Sequence, residues 1–215
     1  MILSTGRSFI FIHIPKTGGT SLALALEARA MKDDILVGDT PKAQRRRRRQ
    51  QSLVTAGRLW KHARLSDIEG LVPPDRMRAM FVFTLVRNPW DRMVSYYHWL
   101  RTQTFSHPAV GLAKALDFGG FVQHPDIRRS FRQSPARSYV TNAEGQEMCN
   151  AYVRIEHFHE DARPLFDHLG FEFRLPHANP SCRSEDYRGY YCARTRDAVA
   201  EACSEDIERF GYHFE

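Results

Sequence analysis

The feature that most constrains this sequence is a short apolar run that ends at a glycine-containing turn and leads into a helix-forming segment. Residues 8–14 (SFIFIHI) are almost continuously apolar and rich in β-branched and aromatic side chains, which is typical of a buried strand in a parallel sheet. Pro15 ends the run, and the segment LALALEARAMK beyond the turn is composed of helix-favouring residues. The sequence therefore predicts a strand, a glycine turn and a helix in succession.

The turn combines groups that bind a phosphate. Its residues are Pro15, Lys16, Thr17, Gly18, Gly19, Thr20 and Ser21. Glycines let the backbone approach a ligand closely, and the start of a helix offers N–H groups and the positive end of the helix dipole. The turn is not a Walker A loop, because its lysine precedes the glycines. We predict a phosphate cradle; the alternative is a tight structural turn with a surface lysine.

A second strand–turn–helix pattern follows at residues 80–101. Residues 80–86 (MFVFTLV) form another buried-strand pattern, and a helix is predicted from Trp90 to Arg101. Phosphate-loop kinases usually place a magnesium-binding aspartate at this strand end, whereas this chain has Arg87. Arg87 predicts a second anion bound without metal, with Ser95, about two helical turns further on, as a further donor. The alternative is an Arg87 that pairs with a carboxylate, either Asp91 or Glu69.

Two strand–turn–helix units and no dividing linker predict an α/β fold, with one domain over residues 1–215. We expect a central, mainly parallel sheet with a P-loop-like strand–loop–helix and helices on both faces. A capping box at Ser66 and Glu69, short helices over residues 102–145, a helix over residues 161–169 and one helix over residues 195–210 with a threonine cap are also predicted. Two anion sites at the ends of two strands suit a nucleoside with phosphates at both ends, because ligands bind at strand ends in such folds.

Composition and charge limit the function classes. The chain has 215 residues, 42% of them hydrophobic, and a formal net charge of +6, which is ordinary globular composition. Five positive charges form one block: Arg45, Arg46, Arg47, Arg48 and Arg49. Without that block the net charge is only +1, so the sequence lacks a general nucleic-acid footprint and no nucleic-acid partner is predicted. We interpret the block as a solvated loop or helix, or as a contact for an anionic acceptor or an acidic lipid surface.

The sequence shows no pattern typical of a transmembrane helix, a signal peptide or a cysteine metal site. No apolar run reaches the roughly 18 residues of a transmembrane helix, and the first residues do not resemble a signal peptide, so a cytoplasmic location is expected. The four cysteines show neither a CxxC pair nor metal-ligand spacing, so no metal is predicted. Cys182 and Cys192 would form a bridge only in an oxidising compartment.

The motifs PKTGGTS and RNPWDRMVSYY together resemble the sulfotransferases that depend on 3′-phosphoadenosine 5′-phosphosulfate (PAPS). The resemblance is to family 2, which includes carbohydrate sulfotransferases and small bacterial relatives. It implies transfer of a sulfuryl group from PAPS to a hydroxyl or amine of a glycan, lipid or small-molecule acceptor. By this resemblance the 5′-phosphosulfate is bound by Lys16, Thr17, Gly18, Gly19, Thr20 and Ser21, the 3′-phosphate by Arg87 and Ser95, and a further cofactor contact comes from Ser181.

The resemblance also implies a catalytic base, His62. Several family members place their catalytic histidine in this segment, although 2-O-sulfotransferases have a histidine pair where this chain has Trp60-Lys61-His62. An imidazole takes a proton from a hydroxyl near neutral pH, and Lys16 would neutralise charge on the departing phosphate oxygen. The alternative is a structural His62, with a carboxylate as the base, and His13 is interpreted as a packing residue. Three other functions are open at this stage: a kinase with a variant phosphate loop, a non-catalytic nucleotide- or polyanion-binding module, and an arginine-rich protein that docks on membranes or nucleic acid.

Overall fold

The chain forms two compact units. The computed structural model describes residues 1–176, 184 and 186–215. The first unit contains Met1–Val86 and the segment that begins at Ala136, and the second contains Arg87–Pro135 and the C-terminal helices. The single domain expected over residues 1–215 stays a prediction.

The first unit is built on one sheet, which has five strands within the described residues. They are β1 (Ile2–Ser4), β2 (Phe9–Ile12), β3 (Ile35–Leu36), β4 (Phe81–Val86) and β5 (Ala151–Arg154). The strand order is β3-β1-β2-β4-β5. β2, β4 and β5 are parallel neighbours, whereas β1 runs antiparallel to both β2 and β3. The α/β class is therefore confirmed, and the sheet is mixed, with a parallel half that carries both predicted strands.

The helices are short and divided between the units. The first unit contains α1 (Gly19–Ala28), α2 (Pro41–Gln50), α3 (Pro74–Arg78), α8 (Ala136–Tyr139), α9 (Phe158–Asp161) and α10 (Arg163–Leu169). The second contains α4 (Pro89–Arg101), α5 (Pro108–Ala115), α6 (Phe118–Gln123), α7 (Pro125–Arg132), α11 (Ala193–Ala202) and α12 (Ser204–Phe210). No helix among the described residues has both the length and the apolar character needed to cross a membrane.

Aromatic packing holds α1 against the parallel half of the sheet. Phe11 of β2 and Phe83 of β4 are fully buried, and their ring centroids are 5.4 Å apart. Leu22 and Leu26 of α1 belong to the same apolar cluster. Burial of one such side chain stabilises a fold by about 1.5–3 kcal/mol. This packing fixes where α1 begins relative to the end of β2.

Several sequence predictions are confirmed, and two local ones are wrong. The strands predicted at residues 8–14 and 80–86, the helix of residues 90–101, the short helices after residue 102 and the stop at Gly170 are all present. The capping box is not: Glu69 accepts a hydrogen bond from the Ala143 N–H, and Ser66–Ile68 is a 3₁₀ turn without a side-chain cap. The predicted C-terminal helix is two helices, α11 and α12. Thr195 is not the cap but lies inside α11, where its hydroxyl accepts a hydrogen bond from the N–H of the cap residue Cys192 and donates one to the Cys192 carbonyl oxygen.

Helix α2 contains the arginine block, which is thus a solvated helix rather than a loop. The cap residue Thr40 accepts a hydrogen bond from the Ala43 N–H and donates one of 2.6 Å to the buried Glu27 carboxyl group. Ala43 is the buried residue of this helix. At the other end, the Gln50 amide donates to the carbonyl oxygen of Leu36 in β3. α2 is therefore anchored at both ends, while its arginines occupy the remaining surface.

We predict that Thr40→Ala lowers the free energy of unfolding by about 1–2 kcal/mol, because it removes the helix cap and the hydrogen bond to a buried carboxyl group. Urea denaturation followed by circular dichroism measures the change. Thr40→Ser is the matched control, since it keeps the hydroxyl, and it is expected to retain most of the stability. Equal losses in the two variants would contradict the role of the hydroxyl.

Candidate functional site

The turn between β2 and α1 has a strained and tightly bonded backbone. Gly18 caps α1 with φ of +85°, and Lys16 has φ of +66° although it carries a side chain. A left-handed conformation at a non-glycine residue costs about 1–2 kcal/mol, and such strain clusters at ligand sites. The buried hydroxyl of Thr17 donates to the Ile14 carbonyl oxygen at 2.9 Å. The Thr17 hydroxyl thus stabilises the turn itself.

Both glycines of the turn are required by close neighbours. A Cβ atom on Gly18 would lie 2.1 Å from Cδ1 of Ile155. A Cβ atom on Gly19 would lie 2.2 Å from Cδ2 and 2.4 Å from Nε2 of His13. These separations are far below any van der Waals contact, so neither position accepts a larger residue without movement. The turn is consequently held against β5's continuation on one side and against His13 on the other.

The start of α1 offers favourable groups to an anion. The cap residue Gly18 has no side chain to bond the first N–H groups, and the first turn contains no acidic residue. Helix α1 is ten residues long, so its dipole places partial positive charge at this end. Lys16 precedes the helix, and Thr20 and Ser21 lie in its first turn. This arrangement has the chemistry of a phosphate site.

His13 lies buried against this turn. Its ring faces Gly19 on one side and forms an edge-to-face contact with His62, with ring centroids 4.6 Å apart. Phe11 stacks near it at 5.7 Å. Burial lowers the pKa of His13 well below its usual value, because the charged form is poorly solvated there. The ring is therefore neutral at neutral pH.

His62 is oriented by the backbone of His13. The two residues are joined by a hydrogen bond of 2.7 Å between Nδ1 of His62 and the carbonyl oxygen of His13. A carbonyl only accepts, so Nδ1 carries the proton and Nε2 carries the lone pair. The Trp60 ring meets His62 edge-on at 5.2 Å. His62 thus has a defined tautomer and sits between two aromatic neighbours.

The pKa of His62 is lowered to about 4. Burial is the main cause, the hydrogen bond to the His13 backbone opposes it, and the neighbouring Lys61 lowers the pKa further. Lys61 itself forms an ion pair with Asp39. His62 is therefore uncharged at neutral pH and its Nε2 has the form needed to accept a proton.

The second predicted anion site belongs to the second unit. Arg87 follows the last residue of β4, and its Nε atom donates to Asp91 Oδ2 at 2.7 Å. The predicted carboxylate pairing of Arg87 is thus present, with Asp91 as the partner. Ser95 lies one helical turn beyond Asp91 on α4 and is 6% exposed. Binding of a phosphate by Arg87 and Ser95 stays a prediction.

The structure therefore brings some of the predicted residues together. Within the first unit, the turn, His13 and His62 form one cluster, and the parallel strands β2 and β4 end at the same edge of the sheet. Ser181 lies outside the described residues. Within residues 1–176, 184 and 186–215, no group of three or more His, Cys, Asp or Glu side chains is arranged to hold a metal ion. The sequence interpretation of His13 as a packing residue misses its contacts with Gly19 and His62.

We predict that His62 contributes to a loss of stability in acid. The pKa of His62 is lower in the folded state than in the unfolded chain. Between about pH 6.5 and pH 4 the unfolded chain therefore binds more protons than the folded protein, and the free energy of unfolding decreases as the pH falls. The contribution is about 2 kcal/mol, since the ring keeps some solvent contact. Urea unfolding of the wild type and His62→Gln between pH 7 and pH 4 measures it. The free energy of unfolding of His62→Gln is expected to fall less steeply with decreasing pH than that of the wild type. The control variant His159→Gln, changed at an exposed site, is expected to follow the wild type. Identical pH dependence in all three proteins would contradict the assignment.

A family model that covers nearly the whole chain agrees with the motifs. The family model described as "Sulfotransferase family" matches residues 1–213. The mouse sulfotransferase SULT7A1 complexed with PAP is similar in structure, with 16% sequence identity over 94% of this chain and 84% of that chain and a TM-score of 0.45. No curated protein sequence matches the chain. Because the family model spans nearly the whole sequence, the chain belongs to the sulfotransferase family.

Proposed function

We propose that this protein transfers a sulfuryl group from PAPS to a hydroxyl or amine of an acceptor. The observation that carries the proposal is the β2–α1 turn, whose two close-packed glycines, lysine and hydroxyl residues lead into a helix start without a side-chain cap. The acceptor oxygen attacks sulfur, and the bond between sulfur and the bridging phosphate oxygen breaks in line with the attack. The products are a sulfate ester and adenosine 3′,5′-bisphosphate.

In this proposal the turn binds the 5′-phosphosulfate. The first N–H groups of α1 and the hydroxyls of Thr20 and Ser21 are proposed to donate to its oxygens, while Thr17 stabilises the turn that contains them. Lys16 neutralises charge on the departing phosphate oxygen. Stabilisation of this kind acts most strongly on the transition state, because the leaving oxygen gains charge only as the bond to sulfur breaks.

His62 is the proposed base. Its Nδ1 atom is committed to the His13 carbonyl oxygen, so the acceptor proton passes to Nε2. The lowered pKa keeps His62 deprotonated before the reaction. A sulfuryl donor and its phosphates bring negative charge toward the imidazole, and nearby negative charge raises the pKa of a histidine. The proton affinity of His62 therefore increases when the donor is bound.

Arg87 and Ser95 are proposed to bind the 3′-phosphate, and Ser181 to supply a further donor contact. Asp91 orients the Arg87 guanidinium through the hydrogen bond to Nε. An arginine oriented in this way presents a planar set of donors that suits phosphate. The carboxylate also restrains the arginine when no ligand is bound.

The acceptor is proposed to be a glycan, a lipid or a small-molecule alcohol, in keeping with the carbohydrate-sulfotransferase resemblance, and the protein is proposed to act in the cytoplasm. The arginines of α2 are proposed to contact an anionic acceptor or an acidic lipid surface, since most of them are exposed.

We predict that the protein binds adenosine 3′,5′-bisphosphate more tightly than adenosine 5′-monophosphate, and that Arg87→Ala removes this preference. Loss of a charged hydrogen bond to phosphate costs about 1.5–3 kcal/mol, or roughly 10- to 150-fold in affinity. Isothermal titration calorimetry with both nucleotides measures the effect. Arg101→Ala is the matched control, because it removes an exposed arginine at the C-terminal end of α4, the helix that follows Arg87.

Two outcomes would overturn the proposal. The first is equal affinity of the wild type for the two nucleotides, which would leave no 3′-phosphate site. The second is tighter binding of ATP with magnesium than of the bisphosphate, which would favour a kinase. His62→Gln is expected to bind the bisphosphate normally and to lose transfer from ³⁵S-labelled PAPS, because binding and proton removal use different groups.

A further inference from the structure

Residues 40–66 carry an unusual concentration of positive charge. The segment contains nine lysines and arginines and no aspartate or glutamate. Because the formal net charge of the whole chain is +6, all other residues together carry a net charge of −3. The protein is therefore strongly asymmetric in charge. The segment comprises α2, the chain that follows it, and the turn that contains His62.

Four of the five arginines of α2 are exposed to solvent. Arg45, Arg47, Arg48 and Arg49 are exposed, whereas Arg46 donates to the Asp34 carbonyl oxygen at 2.8 Å and is half-buried. The buried Ala43 and the bond from Gln50 to Leu36 hold one side of the helix against the rest of the first unit. A ten-residue helix extends about 15 Å. Its exposed side is thus a cationic surface of that length on a fixed support.

Two large apolar side chains are exposed in the same segment. Val54 is 82% exposed and Trp60 is 40% exposed. Isolated exposed apolar residues are common on proteins, but these two fall within a stretch that also exposes five arginines and no acidic residue. The Arg58 guanidinium lies 5.3 Å from the Trp60 ring centroid. Cations combined with tryptophan and an aliphatic side chain are typical of surfaces that bind at the boundary of lipid headgroups and acyl chains.

We infer that residues 40–66 form a peripheral docking surface for an anionic lipid bilayer. The arginines of α2 bind the negative headgroups, and Val54 and Trp60 enter the headgroup–acyl boundary. A sulfated polysaccharide or a nucleic acid offers the same negative charge but no apolar phase for an exposed valine. An anionic bilayer attracts the segment through its nine positive charges.

Docking at a bilayer also limits the chemical class of the acceptor, a conclusion that rests on the proposed function. His62 belongs to the docking segment and its ring lies 5.2 Å from that of Trp60. Lys61 connects this turn to Asp39, next to the cap of α2, through an ion pair. Docking of the segment therefore brings His62 close to the headgroups. The acceptor class that fits is a hydroxyl carried by a lipid headgroup.

Vesicle co-sedimentation of the full chain tests the docking surface. We expect binding to vesicles of phosphatidylcholine with 30% phosphatidylserine, little binding to phosphatidylcholine alone, and a decrease as salt is raised. The triple variant Arg45→Gln, Arg47→Gln, Arg48→Gln is expected to lower the partition coefficient about a hundredfold, since each basic residue near such a surface contributes roughly a fivefold factor. Arg46 and Arg49 are left in place because both contact backbone carbonyls.

A control variant with the same change of charge shows whether vesicle binding depends on this segment or only on the net charge of the protein. Arg129→Gln, Arg194→Gln, Arg209→Gln removes three exposed arginines of the second unit, and it is expected to bind vesicles nearly as the wild type does. Equal losses in both triple variants would overturn the inference. Val54→Ser is expected to weaken vesicle binding several-fold and to leave binding to heparin unchanged. Binding to heparin without binding to vesicles would instead identify a polyanion site.

Failure of the docking surface and failure of the proposed function give different results. Normal titration of adenosine 3′,5′-bisphosphate without vesicle binding would overturn the docking surface alone. Vesicle binding without nucleotide binding would overturn the sulfotransfer proposal and leave the docking surface intact. If both hold, ³⁵S from labelled PAPS is expected in the organic phase after incubation with vesicles that contain a hydroxyl-bearing glycolipid. Label found only in the aqueous phase would exclude the lipid acceptor.

Discussion

The packing of the His13 ring is the interaction on which the site of the first unit depends. The ring occupies the space between the first turn of α1 and His62, and it leaves room for no residue larger than glycine at position 19. Two charged imidazoles with centroids 4.6 Å apart would repel each other strongly. Burial prevents this, because it keeps both rings neutral. The close approach of turn and histidine pair is thus possible only in a water-poor environment.

The sequence patterns predict β2 and β4 in the parallel half of the sheet but not the strands of the antiparallel half, and the sheet itself explains the difference. β2 and β4 are buried on both faces, so each appears in the sequence as a continuous apolar run that stands out from its surroundings. β1 and β3 have three and two residues, too few for any periodicity to be detected. Their antiparallel pairing depends on backbone geometry that no side-chain pattern reports. A mainly parallel sheet was therefore the natural expectation, and the observed sheet is mixed.

In the candidate site, too, the contacts between residues close in sequence were predictable, whereas the contacts between distant residues were not. The glycine turn was predictable because its residues are contiguous, and Arg87 with Asp91 was predictable as a pair because they lie four residues apart. The bond from His62 to His13 spans 49 residues. It depends on how the chain after α2 returns to the end of β2, which propensity and motif do not specify. The tautomer of His62, and with it the atom that would accept a proton, follows from structure alone.

Charge and burial act together on His62 in the proposed reaction. The cationic segment around it, Lys61 in particular, stabilises the neutral imidazole and would attract a negatively charged donor or surface. A base with a pKa near 4 is weak, so it removes a proton poorly while the site contains no anion. Each unit by which a bound anion raises that pKa adds about 1.4 kcal/mol to the driving force for proton transfer. The environment of His62 therefore couples its strength as a base to the arrival of negative charge.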